Sequence, residues 1–209
     1  MTHSLNETEA LCRKAARGAG YAWGLADEAG RAARWLEARG LLGLQALAGV
    51  LEECEGSDLA QMTPRIGEVW RADGPLCPIT TGAALADHAH LLDAGPVRLG
   101  QMRHPMLLLP FVAAALRADG QASVTWPGAQ IAVVPEGVAV QGMLGASDVS
   151  GVSVVLADAT PLAPLTRRTR CNIPDDLYTR LNTFAARTYA PATEASRLAG
   201  AGAGLTDND

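Results

Sequence analysis

The sequence has almost no lysine and no long run of basic residues. Lys14 is the only lysine, so arginine supplies the remaining positive charge, and the formal net charge is −5. A protein that reads a nucleic-acid backbone normally carries a basic stripe, so we expect no nucleic-acid partner. The lack of lysine also excludes a P-loop, whose glycines are followed by that residue. Arginine use of this kind is typical of a GC-rich bacterial genome, although a guanidinium fork also matches carboxylates and phosphates.

Long apolar runs are absent as well. The longest, Met106 to Leu116, is interrupted by Pro110 and is shorter than the roughly 20 residues that span a bilayer. The opening MTHSLNETEA contains no apolar signal segment. We therefore expect no membrane partner and a cytoplasmic location.

Cysteines are few and widely spaced, at positions 12, 54, 77 and 171, and no CxxC pair occurs. This spacing indicates neither a zinc ribbon nor a dithiol redox motif. Reduced, buried thiols are the expected state of such cysteines in a cytosolic protein.

Residues 4 to 55 have the pattern of three short helices. Ser4 and Glu7 have the spacing of a capping box, in which each side chain binds the backbone N–H of the other residue. Gly40 is suited to end the second helix. The second and third helices are predicted at Trp23 to Arg39 and Leu42 to Glu53. Short connections favour antiparallel neighbours.

The remainder of the chain mixes helices and strands. Residues 56 to 80 are rich in Gly, Pro, Ser and Asp and predict a loop or linker, with a short strand near Glu68 to Arg71. Thr81 is predicted to cap a helix that runs to Leu92. Further helices are predicted at Pro105 to Ala118, started or split by Pro110, and at Asp175 to Tyr189. Between them, turn signals such as Pro127-Gly128 predict an antiparallel meander, and Thr166 to Cys171 predicts another strand.

These patterns predict an α+β fold in which an N-terminal three-helix module packs on a mostly antiparallel sheet with additional helices. The predicted division is a helical module at 1–55, a loop or linker at 56–80 and an α+β body at 81–209, within one compact unit.

No recognisable catalytic constellation is present. Two histidines, His88 and His90, are separated by two positions, and on a helix this spacing makes the side chains diverge, so we expect no metal site. Neither a GxSxG elbow nor a GxGxxG after a predicted strand occurs. We therefore expect no cofactor, and the catalytic residues, if any, stay unknown.

The most unusual segment is the glycine-rich end of the chain. One interpretation is a frayed, solvated tail. The other is a loop whose backbone packs closely on the body, with a basic side chain that meets an anion and polar groups that supply oxygen ligands or hydrogen bonds. The candidate ligand-binding residues in that second interpretation are Arg197, Gly200, Gly202, Gly204, Thr206, Asp207 and Asn208.

The stretches SLNETEALCRKAARGAGYAWGLADEAGRAARWL (4–36) and YAPATEASRLAGAGAGLTDND (189–209) resemble the two ends of an uncharacterised bacterial family, a domain of unknown function. Cys12 and Tyr21 depart from it where ordinary apolar residues are expected. The family has no assigned activity, so the resemblance transfers no catalytic residue. It implies that the tail is less random than a frayed end.

Three functional hypotheses follow. The first is a protein that binds a small anionic metabolite or a partner protein near the docked tail. The second is an enzyme of unrecognised class with a site around Arg197 and Asp207, joined by His88 or His104. The third is a structural subunit whose helical module buries a stripe of small residues, Ala26, Gly30 and Ala33, against another chain. The sequence does not fix the oligomeric state.

Overall fold

The computed structural model describes residues 2–135, 137–157 and 167–189. The α+β prediction is confirmed, because N-terminal helices precede a mostly antiparallel sheet. Within the described residues, no helix is long and apolar enough to cross a membrane. The α-helices are α1 (Leu5–Gly18), α2 (Trp23–Glu37), α3 (Gly43–Glu53), α4 (Pro78–Asp87), α5 (Leu91–Ala94), α6 (Leu109–Ala115) and α7 (Asp175–Ala185).

The strands form one large sheet and two small ones. They are β1 (Thr2–Ser4), β2 (Val69–Trp70), β3 (Val97–Leu99), β4 (Met102–Arg103), β5 (Gln121–Trp126), β6 (Ala129–Val134), β7 (Gly137–Gly142), β8 (Asp148–Val149), β9 (Val152–Ala157) and β10 (Arg170–Asn172). The six-stranded sheet has the order β2-β3-β9-β5-β6-β7, and only the β2–β3 pair is parallel. The two-stranded sheets are β1-β10 and β4-β8, both antiparallel.

The predicted capping box starts α1. The Glu7 carboxylate accepts the Ser4 backbone N–H at 2.7 Å, and the Ser4 hydroxyl accepts the Glu7 N–H at 3.2 Å. Both bonds satisfy N–H groups that a helix start would otherwise leave unpaired. The adjoining strand β1, which the sequence did not predict, pairs with β10 and so brings residues near 170 to this end of α1.

The small-residue stripe of α2 is covered within the chain. Ala26 and Ala33 are fully buried, and a Cβ on Gly30 would stand 2.9 Å from the Glu9 carbonyl oxygen of α1. Because the residues of this stripe are small, the backbones of α1 and α2 can approach each other closely. The stripe therefore cannot be the interface with another chain that the third hypothesis required.

Two predicted boundaries are wrong. Helix α4 begins at Pro78 rather than Thr81, because a proline in the first helical turn lacks only an N–H that would be unpaired there. It ends at Asp87, and the following turn forms the separate α5. Pro110 does split its segment, lying in the first turn of α6 after a 3-10 turn at Pro105–Leu108.

The strand predicted over Thr166 to Cys171 forms only from Arg170. Residue 166 lies outside the described residues, and the segment 167–169 docks on α1 and α2 instead of pairing in a sheet. Alternation along the predicted strand would place Arg168 and Arg170 on one face, but Arg168 lies before the strand begins.

The segment 56–80 contributes to the same buried core as the helices. Met62, Trp70, Leu76 and Cys77 are all buried in it. Short elements give it structure, namely a 3-10 helix at Leu59–Met62 and β2. The division of the chain into a helical module, a linker and a body stays a prediction.

Candidate functional site

A cavity of about 550 Å³ lies where α1, α2 and the segment 167–169 meet. Among the described residues that line it, Glu9 is the one acidic side chain. Its basic residues are Arg31, Arg34, Arg39, Arg167 and Arg168. This arginine pocket therefore concentrates positive charge on a chain whose formal net charge is −5.

Backbone hydrogen bonds fix the wall formed by segment 167–169. The Arg168 N–H donates to the Ala38 carbonyl at 2.8 Å, and the Leu5 N–H donates to the Thr169 carbonyl at 3.4 Å. Gly40 ends the α2 turn at φ 71°, a left-handed conformation that favours glycine. A Cβ there would stand 2.9 Å from the Arg168 guanidinium, so the glycine also makes room for that side chain.

Arg39 is the buried cation of the arginine pocket. Only 5% of the residue is exposed. Its guanidinium lies 3.6 Å from the centre of the Trp35 ring, and its Nη1 donates to the Trp35 carbonyl at 2.9 Å. Stacking on an aromatic face and a charge-assisted hydrogen bond offset part of the cost of removing this charge from water.

Neighbouring carboxylates neutralise only some of the pocket's charge. Arg34 pairs with Glu9 at 2.8 Å, and Arg31 pairs with Glu28. Arg168 forms no ion pair with any residue that the structure describes. These pairs are largely exposed, so each contributes little to stability, and their arginines can exchange partners readily.

The carboxylate of Glu37, the last residue of α2, already forms a hydrogen bond within the protein. It accepts the Leu44 N–H at 3.0 Å at the start of α3. Burial raises the pKa of Glu37, while the bonds from the backbone at Leu44 and Gly43 and the charge of Arg168 oppose that rise.

Planar guanidinium groups bind carboxylates and phosphates through two parallel N–H···O bonds. A cavity that presents several of them, one buried and stacked on a tryptophan, can hold a small molecule by its anionic groups. Among the described residues of the pocket, only Glu9 and Thr169 carry a carboxylate or a hydroxyl group.

Comparison with known protein families finds a match over part of the chain. Residues 3–73 match the family model described as Protein of unknown function (DUF3726). This match confirms the resemblance to an uncharacterised family, and it covers the stretch 4–36 but not the stretch 189–209. No curated protein matches the chain.

The residues that match this family model supply most of the arginine pocket. Helices α1 and α2 and Arg39 lie within residues 3–73, whereas Arg167 and Arg168 come from outside it. The pocket therefore depends on contact between the matched region, which contains Arg39, and Arg168, which lies 129 residues after Arg39.

None of the ligand-binding residues predicted in the glycine-rich tail can be placed. Arg197, Gly200, Gly202, Gly204, Thr206, Asp207 and Asn208 all lie outside the described residues. Sequence reasoning did not select the arginines of α2. A signal was available, since Arg31, Trp35 and Arg39 are spaced four residues apart and so share one face of the helix.

The histidines considered for catalysis lie apart from the arginine pocket. His88 ends α4, where its Nδ1 is 2.9 Å from the Ala84 carbonyl oxygen and its ring meets the edge of Trp70. His90 lies 6.0 Å from His88 between ring centres. His104 lies beside Glu53 of α3. Among the described residues no group of three potential metal ligands forms.

A second polar cluster is sealed in the core. The Tyr21 hydroxyl lies 3.2 Å from the Cys77 sulfur, and the Cys54 thiol donates to the Met62 sulfur at 3.7 Å. All four described cysteines are free and buried, as expected. Burial raises the pKa of Cys54 to about 11 and also raises that of Tyr21, which keeps both groups neutral and unreactive.

Alkaline pH should therefore destabilise the fold through Cys54. In the unfolded chain this thiol ionises near its ordinary pKa of 9.0, whereas in the native state it resists ionisation up to about 11. The unfolding free energy should fall as pH rises above 9, by about 1 kcal/mol at pH 10 from this group. Urea denaturation of wild type and Cys54→Ala at pH 7.5 and 10 measures the effect. An equal loss of stability in both proteins would contradict it.

Proposed function

We propose that this protein binds a small molecule carrying phosphate or carboxylate groups in the arginine pocket. The observation that carries the proposal is the convergence of five arginines on one cavity of an acidic chain, from α2, from the turn after it and from segment 167–169. Arginines that are scattered over a surface by chance are exposed, whereas Arg39 is buried.

The dimensions support a ligand of metabolite size. The cavity of about 550 Å³ lies within the roughly 300–1,000 Å³ range of small-molecule sites. The guanidinium groups that line the cavity favour a ligand with negatively charged groups. Apolar surface from Leu5, Trp35 and Ala38 is available for the rest of the molecule.

The proposal places the protein in the cytosol, where four buried free thiols would stay reduced. Binding of a partner protein near the tail, and an enzyme built around Arg197 and Asp207, involve residues that the structure does not describe, and both stay predictions.

Titration with inorganic pyrophosphate tests the proposal. We expect saturable binding in calorimetry at low ionic strength, weakening as salt is added because the contacts are ionic. Bound anion should also raise the melting temperature, since a ligand at about 100 times its Kd stabilises the native state by about 2.7 kcal/mol. Citrate extends the test to carboxylates.

Arg168→Gln should weaken pyrophosphate binding about tenfold, the loss of one charge-assisted contact worth about 1.5 kcal/mol. Arg98→Gln is the matched control, because Arg98 is an exposed arginine on β3 that does not line the pocket. Equal affinities in wild type and Arg168→Gln, or equal losses in the two variants, would refute the proposed site.

A further inference from the structure

A second cavity of about 240 Å³ lies where the start of α3, the turn at His104 and residues 144–146 meet. Its walls are mostly apolar, with Leu42, Met106 and Leu144 among the lining side chains. Two lining residues carry polar side chains, His104 and Gln45. A mainly apolar cavity with a few polar groups is the usual composition of a small-molecule site.

His104 is held in an uncommon backbone conformation. Its φ of 41° is the one positive φ at a non-glycine residue in the described part of the chain. Its N–H donates to the Ser147 carbonyl at 2.8 Å, and Pro105 follows directly. Such strain persists only where the surrounding structure imposes it, and it concentrates at functional sites.

The ring of His104 is fixed as firmly as its backbone. Nε2 lies 3.1 Å from the Glu53 Oε1, and the other oxygen of Glu53 accepts from Arg103 at 2.9 Å. The ring packs on α3 at Gly49, where a Cβ would overlap it. A carboxylate on Nε2 favours the tautomer with the proton there, which leaves the Nδ1 lone pair as an acceptor.

Within the described residues, that acceptor is unused. The His104 side chain is 13% exposed, and none of the described residues is hydrogen-bonded to its Nδ1. A ring that is oriented by Glu53 and Arg103, lines an apolar cavity and has an Nδ1 to which no described residue is hydrogen-bonded is suited to receive a hydrogen bond from a bound molecule.

We infer that this cavity binds a small, neutral, mainly apolar molecule with one hydroxyl group, which donates to Nδ1 of His104. Gln45 stands at the exposed rim, where its amide can donate to the same hydroxyl oxygen. The volume exceeds the roughly 150 Å³ cavity that accommodates benzene, so a substituted ring or a short branched alcohol fits. This site is separate from the arginine pocket and does not depend on it.

The test compares p-cresol with toluene, which have similar shape and differ in the hydroxyl. Each is titrated into isotope-labelled protein while NMR follows the His104 ring nitrogens and the Met106 methyl. We expect p-cresol to bind at least tenfold more tightly and to shift the Nδ1 resonance. Equal affinities, or p-cresol binding without a change at Nδ1, would overturn the inference.

His104→Asn supplies the matched variant, since asparagine tolerates a left-handed backbone better than other residues. Its p-cresol affinity should fall to that of toluene. His90→Asn is the control, because His90 is exposed and does not line this cavity. Unchanged p-cresol binding in His104→Asn would also overturn the inference. If that variant does not fold, the comparison of p-cresol with toluene on the wild-type protein still tests the inference.

Discussion

Replacing Gly18 with alanine should lower the free energy of unfolding by about 3 kcal/mol, at the upper end of the usual cost of overpacking. Gly18 ends α1 against α7, and a Cβ there would overlap the Phe184 carbonyl oxygen and stand 2.7 Å from its carbonyl carbon. These are backbone atoms, so no side-chain rotation relieves the clash. Moving α7 outward would separate α1 from Leu181 and Phe184, which are both buried.

Gly24→Ala is the matched control for this prediction. Gly24 lies in α2, and a Cβ there would meet nothing within 4 Å. Alanine should therefore stabilise the protein by about 0.5–1 kcal/mol, through helix propensity and the loss of unfolded-state freedom. Urea denaturation of both variants measures the difference. Similar changes of the same sign would mean that α1 and α7 are not packed as described.

Substitution of Arg39 should have the largest effect on anion binding. Arg39→Met removes a buried charge whose hydrogen bonds to an anion are worth about 3 kcal/mol at most, so pyrophosphate affinity should fall about 100-fold. Arg39→Lys keeps the charge but loses the planar fork and its stacking on Trp35. We expect an intermediate loss of about tenfold in that variant.

Calorimetry with pyrophosphate measures both variants, and circular dichroism checks that each is folded. Arg98→Met is the control, because it removes an exposed arginine from β3 without altering the pocket lining. An affinity for Arg39→Lys equal to that of wild type would show that the guanidinium geometry is irrelevant. Losses as large in Arg98→Met would show that binding follows net charge alone.

Local sequence signals predicted the helical part of the fold well. The capping box at Ser4 and Glu7 and the glycine at position 40 were recognised because each acts through neighbours a few residues away. The start of α4 was predicted at Thr81, but it lies at Pro78, because proline is also a favourable first residue of a helix. Strands of two or three residues, such as β1 and β8, carry too little pattern to be recognised.

The arginine pocket could not be predicted because it is made by distant segments. Arg39 and Arg168 are 129 positions apart in the sequence, and their proximity depends on the hydrogen bond from the Arg168 N–H to Ala38. Spacing along α2 shows that Arg31, Trp35 and Arg39 share a face, but it does not show what covers that face. For the same reason one of the three hypotheses placed another chain against the stripe at Gly30, although α1 covers it.

NMR detection of the arginine Nε–Hε groups during a pyrophosphate titration tests anion binding at this pocket most directly. The resonances of Arg39 and Arg168 should shift together and saturate with one dissociation constant, while those of Arg65 and Arg98, which do not line the pocket, stay in place. Shifts spread evenly over all four arginines, or confined to Arg65 and Arg98, would contradict it.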